Sequence, residues 1–345
     1  MIWVENLLIP LLKSLILVVG LLVGFAYMTW AERKLCARFQ LRYGPNRAGP
    51  FGLLQPVADA FKAIFKEEAI FGQVHSKVIY VIAPGISLAA ALLAFAVVPV
   101  GPTISSFRVF GFQVPDISLH LAADVNIGLL YLFAIAGLGT YGIVLGGWSS
   151  NNKYSLLGAL RTTAQLISYE LPMGLAIVSV LLLSESLSLV KIVEKQTVLP
   201  FVVLQPVAAL IYLICGLAET NRSPFDLPET ENELVSGFAT EYGGIKFAVF
   251  FMAEYINMIV VSAVTVTLFL GGWQWPAFLA DRHPLIAVGL FFVKTAFVLF
   301  LFVWIRASLP RVRYDKLMKF CWKFLFPLAL VNLAVTAVVV ALLPG

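Results

Sequence analysis

Acidic side chains are crowded into one short segment of this 345-residue sequence. Residues 218–243 carry six carboxylates and a single basic residue, Arg222. Crowded carboxylates repel one another, which raises some of their pKa values toward neutrality and allows proton exchange near pH 7. A solvated acidic loop is the alternative, although the apolar residues between the acids favour a loop folded against protein. The six carboxylates are Glu219, Asp226, Glu229, Glu231, Glu233 and Glu241.

Three further charged residues interrupt long apolar stretches: Glu170, Glu254 and Lys294. A charge at the centre of a bilayer costs about 2.5 to 3.5 kcal/mol on insertion scales, so these side chains must face protein or water. Together with the acidic segment they predict a chain of proton-exchanging carboxylates. A structural ion pair between Glu254 and Lys294 is the competing interpretation.

The composition decides which elements position these residues. The chain is 60% hydrophobic and 12% charged, with a mean hydropathy of +0.92, whereas soluble domains are about half apolar and a quarter charged. Since lipid tolerates no unpaired backbone amides, the apolar stretches are predicted to be helices. The sequence therefore predicts an all-α, polytopic membrane protein with one domain spanning residues 1–345 and no cleaved signal peptide. Its eight predicted transmembrane helices lie near residues 7–29, 78–98, 125–145, 157–183, 201–217, 244–270, 284–305 and 324–343.

Basic residues are distributed unevenly between the two sides of the predicted bundle. Most Lys and Arg residues follow odd-numbered spans, while Lys13, Arg108, Lys191, Lys195 and Arg282 fall on the other side. The positive-inside rule then places both termini on the outer, periplasmic side. The net charge of +5 is attributed to this topology and to contact with anionic lipids, with no nucleic-acid partner.

An amphipathic helix is predicted at residues 51–66, within a long inner loop at 30–76. A turn-forming run at 44–50 separates it from the first span. The helix should lie in the membrane plane. It could simply anchor the loop to lipid, or it could roof a passage for a lipid-soluble molecule, with Asp59 and Lys62 pointing into that passage.

Metal and redox motifs are scarce. Cys36, Cys215 and Cys321 are widely separated, which favours neither a disulfide framework nor an iron-sulfur site. The three histidines fall in predicted loops, which excludes paired intramembrane haem ligands. The sequence also lacks glycine-rich nucleotide-binding loops. We therefore expect no flavin, iron-sulfur cluster, haem or metal in this chain.

Several motifs, in order along nearly the whole chain, resemble the H subunit of bacterial NADH-quinone oxidoreductase (respiratory complex I). Its mitochondrial counterpart is NADH dehydrogenase subunit 1. Thr230 is a small departure, because Gly or Ala is expected between Glu229 and Glu231. The resembling segments are Ala31–Lys34, Gln40–Arg47, Gly52–Asp59, Gly147–Tyr154, Ser168–Glu170, Glu219–Gly237 and Ile305–Asp315.

The resemblance implies an eight-helix fold that forms the membrane side of a quinone-binding chamber in a proton-pumping enzyme of the bacterial inner membrane. Quinone is the implied bound substrate. The implied partners are the hydrophilic quinone-site and iron-sulfur subunits and the neighbouring antiporter-like subunits. The implied chamber residues are Glu32, Arg33, Asp59, Lys62, Arg306 and Arg311. The implied proton-relay residues are Glu170, Glu219, Asp226, Glu229, Glu231, Glu233, Glu241 and Glu254.

Other functions remain compatible with the sequence. A membrane anchor of an energy-converting hydrogenase, or of another donor dehydrogenase, would share this subunit type. A proton-coupled secondary transporter would show inverted repeats with broken helices at matching positions, which the sequence does not display. A purely structural scaffold would leave the intramembrane charges unexplained. The electron donor and the type of quinone are not fixed by the sequence.

Overall fold

The computed structural model describes residues 9–67, 74–104, 107–109, 112–114, 117–118, 125–226, 235–280 and 282–342. Helices dominate this part of the chain. Short 3₁₀ turns lie at Pro50–Gly52 and Gly237–Ala239, and a π-helical turn at Cys321–Leu325 joins the last two helices. The α-helices are α1 (Ile9–Phe39), α2 (Gln55–Phe65), α3 (Lys77–Phe95), α4 (Gly128–Ser149), α5 (Lys153–Ser184), α6 (Leu189–Glu194), α7 (Phe201–Leu204), α8 (Pro206–Glu219), α9 (Gly244–Phe269), α10 (Ala277–Ala280), α11 (Pro284–Ser308), α12 (Tyr314–Phe320) and α13 (Phe326–Leu342).

Seven helical segments among the described residues are long and apolar enough to cross a membrane. They are α1, α3, α4, α5, α9, α11 and the continuous run from Tyr314 to Leu342. These confirm a multi-pass helical membrane protein. Two of them extend well beyond the predicted spans: α1 continues past Thr29 to Phe39, and the last begins at Tyr314 rather than near Phe324.

The predicted fifth span, residues 201–217, is a broken helix. Gln205 interrupts it with non-helical backbone angles (φ −130°, ψ 58°), and Pro206 begins α8. The 14 residues of α8 rise about 21 Å, less than the roughly 30 Å of a hydrocarbon core. The buried Gln205 amide donates to Thr336 at 2.8 Å and accepts from Asn332 at 3.2 Å, which ties the break to α13. Eight spans and the orientation of the termini stay predictions.

Between α3 and α4 the described chain forms two short antiparallel hairpins instead of helix. Strand β1 (Thr103–Ile104) pairs with β4 (Ile117–Ser118), and β2 (Phe107–Val109) pairs with β3 (Phe112–Val114). They are too short to alter the predominantly helical class.

Helix α9 lies at the centre of the bundle. It packs against α1, α3, α8 and α11, and it is the most buried of the long helices. A helix surrounded in this way can be apolar on every face, so the single carboxylate near its middle, Glu254, is conspicuous.

Lys294 of α11 caps the C-terminal end of α9. Its ammonium group donates to the carbonyl oxygens of Leu270, Gly272 and Trp275 at 2.7, 2.8 and 2.5 Å. These carbonyls carry the negative end of the helix dipole, where a cation is favourable. The predicted ion pair between Lys294 and Glu254 is therefore wrong: Lys294 satisfies a helix end instead.

The close approach of α3 and α4 depends on glycine. A Cβ atom at Gly142 would lie 2.1 Å from Ser87 Oγ and 2.9 Å from the carbonyl oxygen of Ala83. Small residues commonly bring membrane helices together in this way.

We expect Gly142→Ala to lower the free energy of unfolding by about 1 to 3 kcal/mol, since the added methyl group must push α3 and α4 apart. Gly174→Ala in α5 is the matched control, because a Cβ there meets no atom within 4 Å. Denaturant titration of the protein in detergent micelles measures both. Equal stability of the two variants would show that this contact yields easily.

Candidate functional site

Four charged side chains from four parts of the fold form a chain of ion pairs. Arg306 of α11 contacts Glu32 of α1, and Glu32 also accepts from Arg222 at 3.4 Å. Arg222 Nε in turn lies 2.8 Å from Glu254 Oε1 of α9. The order is therefore Arg306, Glu32, Arg222 and Glu254, with alternating charges that sum to zero. The two inner members are the most buried, because 7% of the Arg222 side chain and 8% of Glu32 are exposed.

Arg222 is further held by aromatic rings and by the turn that carries it. Its guanidinium carbon lies 3.9 Å from the ring centroid of Tyr255 and 5.5 Å from that of Phe251. Arginine over an aromatic face gains cation–π attraction, most strongly when water is excluded. Both rings belong to α9, so the same helix supplies Glu254 and the surface on which its partner rests.

Gln165 of α5 fixes the position of the turn after α8. Its fully buried amide donates to the carbonyl oxygens of Ala218 at 2.7 Å and Phe225 at 2.9 Å. The residues between those two carbonyls include Glu219 and Arg222. One amide therefore clamps both ends of the segment from which these charges project.

A cavity of about 90 Å³ lies beside this turn. It brings together three of the predicted relay carboxylates, Glu170, Glu219 and Glu254. The volume is enough for several water molecules, since one water needs roughly 10 to 15 Å³ on this measure. The other polar side chains that line the cavity are Ser87, Thr140, Thr220, Asn221 and Asn257.

Two more predicted relay residues make separate contacts. Asp226 lies 3.8 Å from Arg311 in a half-exposed pair, which joins a predicted relay residue to a predicted chamber residue. Glu241 accepts from the Asn152 amide at 2.6 Å, next to the N-terminus of α5. The predicted residues Glu229, Glu231 and Glu233 lie outside the described residues.

Tyr242, next to Glu241, helps to fix the same loop. It donates to the carbonyl oxygen of Tyr80 at 3.2 Å, and the two rings stack with centroids 4.3 Å apart. Burial raises the pKa of the Tyr242 hydroxyl to about 12, although hydrogen bonds to Ser149 and Ser150 lower it. The hydroxyl is therefore a neutral donor at physiological pH.

The remaining predicted chamber residues lie where α1 meets α2. Arg33 donates to Asp59 at 2.6 Å, and Trp30 Nε1 donates to the carbonyl oxygen of Phe51 at 3.2 Å. Asp59 is thus engaged by α1, while Lys62 is exposed on α2. The apolar residues Val57, Phe61, Ile64 and Phe65 of α2 are also exposed.

Sequence reasoning treated Arg222 only as the lone positive charge of the acidic segment, although it proves to be the centre of the ion-pair chain. Asn257 was missed as well. It follows Glu254 by three residues on one helix, a spacing that places both side chains on the same face. That spacing was the available signal for Asn257.

Among the described residues, no group of three or more His, Cys, Asp or Glu side chains is arranged to hold a metal ion. His75 and His283 lie just before α3 and α11, and His120 lies outside the described residues.

Comparison with known proteins follows the same residues. The family model described as NADH dehydrogenase matches residues 12–337. The chain belongs to this family. It is similar to NADH-quinone oxidoreductase H subunit 1 of Geobacter sulfurreducens, with 52% identity over 96% of this chain and 94% of the relative. It is also similar to NADH-quinone oxidoreductase subunit 8 of Thermus thermophilus, with 54% identity over 96% of this chain and 87% of the relative. The family resemblance seen in the sequence motifs is confirmed.

Replacing Arg222 tests the ion-pair chain. We expect Arg222→Met to destabilise the protein by about 3 to 5 kcal/mol, because it leaves Glu32 and Glu254 without this buried cation. Arg313→Met is the control: Arg313 pairs with Asp315 at 3.4 Å with side chains 74% and 61% exposed, and such surface pairs contribute at most about 1 kcal/mol.

Unfolding free energies in detergent micelles provide the comparison. If Arg222→Met were no more harmful than Arg313→Met, the buried chain would not be the structural tie described here.

Proposed function

We propose that this chain forms the membrane side of a quinone-binding chamber and couples quinone reduction to proton movement through its carboxylates. Family membership makes it a membrane subunit of NADH-quinone oxidoreductase, an enzyme complex, and therefore part of a multi-subunit assembly. We place the chain in the bacterial inner membrane. The proposed partners are the hydrophilic quinone-site and iron-sulfur subunits and the antiporter-like membrane subunits.

One observation carries the proposal: Glu254 belongs to both parts of the site. It ends the ion-pair chain that begins at Arg306, and it lines the cavity that contains Glu170 and Glu219. The family resemblance assigns Arg306 and Glu32 to the quinone chamber. The contacts thus connect chamber residues to relay residues through one buried arginine, Arg222.

The coupling step follows from these charges. Quinone takes up two electrons from an iron-sulfur cluster in a partner subunit and two protons, and negative charge develops in the chamber before protonation is complete. That charge attracts Arg306 and weakens its hold on Glu32. Glu32 then binds Arg222 more tightly, at the expense of the contact between Arg222 and Glu254. A carboxylate that loses its cation binds a proton more readily, so Glu254 takes one from the cavity.

The magnitudes are adequate for such a switch. Two unit charges 4 Å apart interact by roughly 4 kcal/mol at an effective dielectric constant near 20. A change of about 1.4 kcal/mol alters proton binding tenfold. Partial loss of the contact between Arg222 and Glu254 would therefore be sufficient to protonate Glu254, and large movements of the helices are not required.

The surface helix α2 supplies the proposed passage from the bilayer. Its exposed apolar residues can contact acyl chains, and the pair between Arg33 and Asp59 fastens it to α1. A long-tailed quinone entering beneath α2 would pass along the side that carries Asp59 and Ala63, four residues apart on one helical face.

Glu219→Gln tests the relay. We expect the assembled complex to form, since the amide keeps the shape and hydrogen-bonding capacity of the acid. We expect quinone-linked proton pumping to fall at least about tenfold, because the amide cannot exchange a proton. Pumping is measured in proteoliposomes containing the purified complex.

Glu194→Gln, which alters an exposed carboxylate at the end of α6, is the control and should pump normally. Normal pumping by an assembled Glu219→Gln complex would overturn the proposed relay.

Ala63→Phe tests the passage. We expect a larger loss of turnover with long-tailed than with short-tailed quinones, because the added ring narrows the route for the tail. Ala58→Phe, on the apolar side of α2, should not discriminate between tail lengths. Steady-state rates with both quinones measure the effect, and equal losses for the two tail lengths in Ala63→Phe would contradict a bilayer-side passage.

A further inference from the structure

Asn221 occupies an unusual position at the edge of the carboxylate cavity. Its backbone is left-handed, with φ of 51°, a conformation that asparagine tolerates better than most residues. Its Oδ1 atom is buried and, among the described residues, has no hydrogen-bond partner. The same residue lines the cavity that contains Glu170, Glu219 and Glu254.

A buried carbonyl oxygen without a partner is costly. Leaving such a group unsatisfied costs about 1 to 3 kcal/mol, and buried polar atoms in proteins are usually paired with protein or with ordered water. The cavity of about 90 Å³ beside Asn221 has room for water. Its polar side chains supply the several hydrogen-bond partners that a buried water needs.

We propose that Asn221 Oδ1 binds a water molecule inside the carboxylate cavity and thereby positions the water that connects Glu219 with Glu254. Asn221 is a positioning residue, because its amide does not itself exchange a proton. The inference rests on the proposed relay and adds a specific water to it.

The chemistry of an amide oxygen suits this role. The oxygen can only accept, so it takes one O–H of the water and leaves the second O–H free to point toward a carboxylate. Being uncharged, it adds no further negative charge to a cavity that already holds three acids. Apolar neighbours such as Leu166 and Phe247 also line the cavity, and they leave the water few other positions.

The left-handed backbone explains how the side chain reaches the cavity. Glu219 ends α8, and Asn221 N bonds back to the carbonyl oxygen of Ala218 at 3.3 Å, which closes a tight turn. Arg222 follows directly and joins the ion-pair chain. Asn221 thus stands between the relay acid and the arginine that bridges to Glu254.

Asn221→Gly is the main test variant, because glycine accepts the left-handed backbone without strain while the oxygen is lost. Asn151→Gly is the matched control: Asn151 is also left-handed, with φ of 50°, but it lies in the turn between α4 and α5 and is not among the residues that line this cavity. Asn221→Asp restores an oxygen at the same place.

The first measurement is direct observation of water in the assembled complex by high-resolution electron cryo-microscopy. We expect density for a water within hydrogen-bond distance of Asn221 Oδ1, and its loss in Asn221→Gly. A dry oxygen, in maps that resolve water elsewhere in the protein, would overturn the inference and leave the carboxylate relay intact.

The second measurement separates positioning from folding. In Asn221→Gly we expect protons pumped per quinone reduced to fall about two- to tenfold, the range expected for one lost hydrogen bond. The KM for quinone should be unchanged and the solvent deuterium isotope effect on turnover should increase. Asn151→Gly should match the wild type. Asn221→Asp should recover pumping, with a changed pH profile because it adds a titrating group.

Each remaining outcome is decisive. Normal pumping by Asn221→Gly with the water lost would overturn the positioning role. Equal losses in Asn221→Gly and Asn151→Gly would show a general effect of flexible turns and would also overturn it. The proposed relay fails separately, through normal pumping by Glu219→Gln.

Discussion

The buried guanidinium of Arg222 is the constraint on which the rest of the arrangement depends. It is shared between Glu32 and Glu254 and rests on Tyr255, so α1, the turn after α8 and α9 meet at one charge. Removing a cation from such a site leaves uncompensated buried carboxylates. Moving it, by contrast, transfers electrostatic free energy from one carboxylate to the other. The same interaction can thus hold the helices together and carry a signal.

The long helices could be predicted from sequence because a bilayer accepts few alternatives. Lipid forces backbone amides to pair within each segment, so hydropathy located seven of the eight predicted spans to within about one turn at most ends. It failed where polar contacts decide. Gln205 and Pro206 break the predicted fifth span through partners on α13, far away in sequence. The helical extension of α1 to Phe39 is too charged for hydropathy to register.

The site was predictable in its residue types but not in its pairings. The intramembrane acids announce themselves by their cost in lipid, and the structure gathers Glu170, Glu219 and Glu254 around one cavity. Which cation serves which acid depends on distances that no local pattern encodes. Lys294 therefore proved to cap a helix, while Arg222, separated from Glu254 by a whole loop, became its partner.

The central claim is that reduction of quinone changes the protonation of Glu254 through Arg222. Infrared difference spectroscopy of the assembled complex, triggered by quinone reduction, measures it most directly. A protonated-carboxyl band should appear on reduction, vanish in Glu254→Gln, and shift in frequency or intensity in Arg222→Lys. If Glu254 keeps one protonation state before and after reduction, the account is contradicted.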